Sequence, residues 1–142
     1  MIIKGIDRLE SHAPLHPDFP NRGYRKTVLE GKDGIKIFVT NDDLEKLEIG
    51  NRVRLKDLCN IELTSKTVAN YIGNDVSIIK EGAKIIHWVY EGIPMKVVMP
   101  DGEVKKGICE KELKNGEIVQ FERFGFVRVD KTEKFICYYA HR

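Results

Sequence analysis

Gln120 and Arg123 lie three residues apart in Ile118 to Asp130, I-V-Q-F-E-R-F-G-F-V-R-V-D, where amide and charged groups are interleaved with aromatics. Glutamine offers a donor and an acceptor and arginine a rigid fork of donors, so together they match a planar hydrogen-bonding edge such as that of a nucleobase. In a regular strand, residues three apart point to opposite faces. Here the pattern slips: Val119 and Phe121 alternate with Gln120 and Glu122, yet Phe124 and Phe126 occupy the opposite parity. An unbroken strand would turn one aromatic pair out of the core. Gly125 sits in the slip, and glycine within a strand pattern marks a bulge or sharp bend that re-aims side chains. Such a device would set the amide and the guanidinium side by side. The other reading of the same residues is an amphipathic strand with a solvated polar face.

A second basic group is Arg52, Arg54 and Lys56, which alternate with Val53 and Leu55 and so line one face of a strand. Like charges two residues apart gain nothing from one another, so acids on a neighbouring strand or a polyanion should offset them. Arg22 and Arg25 are either solvated or phosphate contacts. His87 and Trp88, in I-I-H-W-V, are expected to pack in a core, and His141 is read as a terminal residue. No nucleophile elbow, glycine-rich phosphate loop or H-E-x-x-H appears, and Cys59, Cys109 and Cys137 are too widely spaced for a zinc or redox motif. The thiols are expected to be buried and free. No catalytic residue, metal site or cofactor is expected in this chain.

The elements that must position these groups are short. With 142 residues and 42% hydrophobic content, the chain is one compact domain or two very small ones. No run approaches the ~20 apolar residues of a membrane span and no leader pattern opens the chain, so a cytoplasmic protein without a membrane partner is expected. A net charge of +2 excludes a globally basic nucleic-acid binder and leaves only local patches. Ala13 to Arg25, with three prolines and a glycine, is expected as ordered loop, its Phe19 and Tyr24 pinned to a core. Asp33-Gly34, Asn74-Asp75, Asp101-Gly102, Asn115-Gly116 and Asp130 to Glu133 punctuate period-two runs and read as hairpin turns. Only Thr40 to Leu47 carries helix signals, a Thr or Asn cap followed by acids. Many short strands imply an all-β chain of barrel or sandwich type.

Five collinear stretches, P-L-H-P-D-F-P-N-R-G-Y-R, R-V-R-L-K-D-L-C-N-I-E-L, I-I-H-W-V, V-Q-F-E-R-F-G-F-V-R-V-D and the closing Y-A-H-R, resemble the C-terminal anticodon-binding region of archaeal-type glutamyl-tRNA synthetases. The resemblance covers the chain from about Leu15 to the end. It implies two small adjacent β-barrels with one or two short helical turns. The distal barrel, approximately 46–115, would be inserted into a proximal one formed by approximately 1–45 plus 116–142. It also implies that Gln120 and Arg123 read the central anticodon uridine, whose two carbonyls and imino group suit an amide and a guanidinium. Arg54 and Lys56 match positions near the first anticodon base, with lysine supplying a point charge where a fork is usual. Lys46 falls where relatives place an arginine near the third base. The implied partners are tRNA for glutamate, with tRNA for glutamine sharing the central uridine, and a catalytic domain or subunit. The class I nucleotide-binding signatures are absent from these residues, so the chain is expected to be a fragment or a separately made subunit. The rival expectation is a sequence-tolerant single-stranded RNA-binding barrel of OB type.

Overall fold

The structure is a computed structural model that describes residues 1–16, 18–110, 114–131 and 136–142. It is built mainly of strands, as the sequence patterns indicate, and divides into two compact units, Met1–Tyr90 and Glu91–Arg142.

The first unit contains β1 (Ile2–Lys4), β2 (Arg8–Pro14), β3 (Tyr24–Glu30), β4 (Ile35–Lys36), α1 (Asn41–Glu45), β5 (Arg52–Leu55), β6 (Cys59–Leu63), β7 (Val68–Gly73) and β8 (Lys84–Ile86). Six strands form one sheet in the order β4-β1-β7-β6-β5-β8, while β2 and β3 pair only with each other. Beyond the sheet's two edge strands, Phe38 and Val89 exchange backbone hydrogen bonds of 2.8 and 2.9 Å. The curled sheet is thereby brought edge to edge. Cys59, Ile61 and Leu63 alternate along β6 and are buried with Ile3, Leu29, Val53 and Leu55 in one apolar core. Helix α1 starts where its acids and cap require. Thr40 accepts the Asp43 amide at 3.2 Å and donates its hydroxyl to the Asp43 carboxylate at 2.8 Å, satisfying an otherwise orphaned helix donor.

Two hairpins expected within this unit take other forms. After Asp33-Gly34 the chain passes from β3 to β4, which pair with different strands, β2 and β1. Gly34 has φ 124°, and a Cβ there would come within 2.6 Å of Ile2, so the turn presses the backbone onto β1. Following Asn74-Asp75, Val76–Ile79 forms a 3-10 turn rather than a strand. The Asp75 carboxylate accepts the Ser77 amide at 2.9 Å, a local bond that competes with strand pairing. The proline-rich stretch also differs. Its ends belong to β2 and β3, only 15–23 connects them, and Phe19 and Tyr24 are 50% and 61% exposed rather than pinned to a core. Phe19 finds its partners within the connection, His16 at 4.8 Å between ring centroids and the Arg22 guanidinium at 5.0 Å.

The second unit is a five-stranded sheet, ordered β10-β9-β13-β12-β11, of β9 (Ile93–Val98), β10 (Val104–Cys109), β11 (Ile118–Phe121), β12 (Gly125–Lys131) and β13 (Ile136–His141). Asp101-Gly102 joins β9 to β10 as an antiparallel hairpin, as its turn chemistry indicates. The turn expected at Asp130 to Glu133 runs outside the described residues. Met95, Val97, Cys109, Val127, Val129 and Cys137 form the core of this unit. The family resemblance groups approximately 1–45 with 116–142. In the strand ladders, β1 pairs with β4 and β7, while β12 pairs with β11 and β13.

Candidate nucleic-acid interface

The parity slip at Phe124 resolves as a chain reversal. Phe121 pairs with Gly125 and Gln120 with Phe126, so Ile118 to Asp130 is a hairpin whose connection is Glu122, Arg123 and Phe124. The Phe124 amide donates to the Phe121 carbonyl at 3.0 Å, and Arg123 adopts φ 64°, a left-handed conformation uncommon for a side chain of its size. Gly125 makes the reversal possible. Its φ is 145°, and a Cβ would lie 2.7 Å from the Tyr139 ring and 2.8 Å from the His141 carbonyl. Phe121 and Phe124 both pack against the core, with Phe124 edge-on to Tyr139 at 5.7 Å and the Lys105 ammonium 5.8 Å from its ring. Phe126 does not join them. It lies on the other face, stacked on His141 at 4.5 Å with 27° between the rings. Gln120 and Arg123 are exposed, one at the end of β11 and the other within the turn.

The basic ladder of β5 is not a uniform face. Arg52 is exposed and meets Glu62 on β6 at 3.5 Å, the neighbouring-strand acid that the charge pattern called for. Arg54, by contrast, is only 8% exposed. Its Nη1 donates to Asn60 Oδ1 at 3.1 Å, to Asn74 Oδ1 at 2.5 Å and to the Asn74 carbonyl at 3.3 Å. Asn60 Nδ2 in turn donates to the Asp75 carbonyl at 2.7 Å, so the guanidinium organises the turn after β7 through uncharged acceptors. Lys56 is half-buried, and its carbonyl accepts the Trp88 indole at 2.8 Å, which sets Trp88 against the core as expected. Lys46 is the exposed C-terminal cap of α1, and its carbonyl accepts the Lys84 ammonium at 3.2 Å.

Lys46, Arg54 and Lys56 thus belong to the first unit, and Gln120 and Arg123 to the second. His141, a terminal residue by sequence, is stacked on Phe126, a contact that only cross-strand register reveals. All three cysteines are free and buried. Desolvation pushes the Cys59 thiol up to about 12, slightly opposed by Arg54, and that of Cys109 to about 11. Neither is poised as a nucleophile. Among the described residues, no helix is long and apolar enough to cross a membrane.

An all-β chain with a polar hairpin turn and a buried, hydrogen-bonded arginine is consistent with a binding module. Comparison with known families defines its class: residues 1–80 and 85–130 each match families described as tRNA synthetases class I (E and Q), anti-codon binding domain. The chain belongs to this anticodon-binding domain family. Its curated relatives are glutamate–tRNA ligases. That of Pyrococcus furiosus is 44% identical across 100% of this chain and 26% of its own length. Those of Methanosarcina acetivorans and Methanocaldococcus jannaschii are 43% and 39% identical, over 99% and 100% of this chain. The chain therefore spans about a quarter of the length of the relatives it matches.

Proposed function

We propose that this chain binds tRNA for glutamate as the anticodon-reading part of a glutamate–tRNA ligase, with the catalytic domain or subunit as its protein partner. Gln120 and Arg123 read the central uridine. The observation that carries the reading is the β11–β12 hairpin, which exposes an amide beside its turn and a guanidinium within it. A uridine edge needs both an acceptor and donors, and the pair supplies them. Lys56 and Lys46 add cations to the flanking bases or phosphates. Arg54, matched to a position near the first anticodon base, acts by holding the β5–β7 region in shape. No step of aminoacyl transfer is assigned to these residues; their part is to position the tRNA, and positioning alone supplies much of a rate. tRNA for glutamine shares the central uridine and binds through the same contact.

The test is a binding comparison between an anticodon stem-loop with uridine at the centre and one with cytidine. Arg123→Ala should lower affinity for the uridine loop by roughly 5- to 150-fold, by analogy with the 1–3 kcal/mol of a bidentate base contact. Affinity for the cytidine loop should scarcely change. Equal loss for both loops makes Arg123 a backbone contact, and a parent chain that binds both alike is a sequence-tolerant binder of OB type.

A further inference from the structure

Residues directly opposite one another in an antiparallel pair project from the same face of a sheet. Gln120 lies opposite Phe126, and Phe126 opposite His141 beyond a register shift that leaves Ala140 out of the ladder; with the Phe126 and His141 rings stacked, the three form one row across β11, β12 and β13. Val119 and Phe121 turn toward the core with Val127, which leaves the row on the outer face. Phe126 and His141 are already stacked, 4.5 Å between centroids and 27° between planes. The adjoining row is Ile118, Arg128 and Tyr138, with Ile118 62% and Tyr138 42% exposed. Packing of this unit's core uses none of these rings. Aromatic faces beside an exposed amide and a guanidinium are what an unstacked nucleobase requires: a π-surface for its plane, polar groups for its edge and a cation for its phosphate.

We propose that the Phe126–His141 pair is a stacking wall for an unpaired base of single-stranded RNA, the same base whose hydrogen-bonding edge meets Gln120. This rests on the reading that Gln120 contacts the anticodon. Gln120 and Arg123 discriminate between bases, and the stacked pair holds whichever base arrives, because stacking depends on the π-face rather than on the edge. His141 contributes by covering one side of the Phe126 ring and extending the surface.

The experiment measures binding of the uridine-centred and cytidine-centred stem-loops to Phe126→Leu, Phe126→Tyr, His141→Ala and Gln120→Ala, with thermal unfolding recorded for each. Leucine keeps the apolar volume and removes the π-face; tyrosine keeps the ring. Phe126→Leu should weaken both loops by the same factor, about 5- to 150-fold for the loss of one stacked base. Phe126→Tyr should bind as the parent does, His141→Ala should show a smaller, equally unselective loss, and Gln120→Ala should collapse the uridine preference. Binding by folded Phe126→Leu and His141→Ala within twofold of the parent overturns the wall, even if Gln120→Ala loses its preference and the anticodon reading stands. Retained preference in Gln120→Ala, with weakened binding in Phe126→Leu, sinks the shared base and the Gln120 reading together. Absence of RNA binding by the parent overturns both.

Discussion

Replacing Arg54 with methionine would remove a buried guanidinium while keeping most of its apolar stem. Three acceptors are affected, Asn60 Oδ1, Asn74 Oδ1 and the Asn74 carbonyl. Asn74 is exposed, so water replaces the arginine there at little cost, whereas Asn60 is 3% exposed and its oxygen would be left without a donor. Burying an unsatisfied acceptor costs about 1–3 kcal/mol. Against this stands the desolvation regained when a charge held only by neutral groups is removed. The net expectation is a loss of about 1 kcal/mol. At 4–8 °C per kcal/mol for a domain of this size, that is a fall of roughly 4–8 °C in the melting temperature of the first unit. Arg52→Ala, which breaks one exposed ion pair, should stay within about 0.5 kcal/mol of the parent. Urea and thermal melts of both variants provide the comparison. Should Arg54→Met unfold with the parent, the guanidinium does not hold the turn after β7, and the argument from its burial fails.

Gly125→Ala should destabilise the second unit by at least about 1–3 kcal/mol, because the added methyl meets a backbone carbonyl as well as a ring and φ 145° disfavours any side chain; a melt indistinguishable from the parent would remove the strain argument. The buried thiols give a pH dependence. Cys59 is raised from 9.0 to about 12 when folded, so its contribution to stability is complete below about pH 9 and is lost as pH rises toward 12, when only the unfolded thiol ionises. Cys59→Ala should flatten the decline of the denaturation midpoint across that window, whatever it costs at neutral pH, and an unaltered slope would assign the decline to other groups.

The strand-rich fold was legible because period-two runs and turn dipeptides are local signals, and the Thr40 cap because it needs only the residues of one turn. Partner choice was not legible. That β1 runs parallel to β7, or that β5 runs parallel to β8, depends on contacts distant in sequence. The aspartate after Asn74 looked like a hairpin turn and instead capped a 3-10 turn, since one carboxylate bond to a nearby amide suits either conformation. For the interface, the anomaly at Gly125 is visible as broken alternation, yet whether a bulge or a full reversal resolves it depends on how β12 pairs with β11 and with β13 beside it. On pattern alone Arg54 is identical to Arg52; only the asparagines gathered from β6 and from the turn after β7 make it a buried group.

The exchange between Phe38 and Val89 bears on how the first unit can meet other molecules. An open sheet recruits a partner by strand addition, offering its unpaired edge amides and carbonyls to any extended chain. Here the edge strands are two and three residues long, and the chain just beyond them is already hydrogen-bonded to itself. Little main chain is left to template another strand along that seam. Recognition there must therefore be carried by side chains, which can distinguish one partner from another where a bare backbone edge accepts almost any sequence.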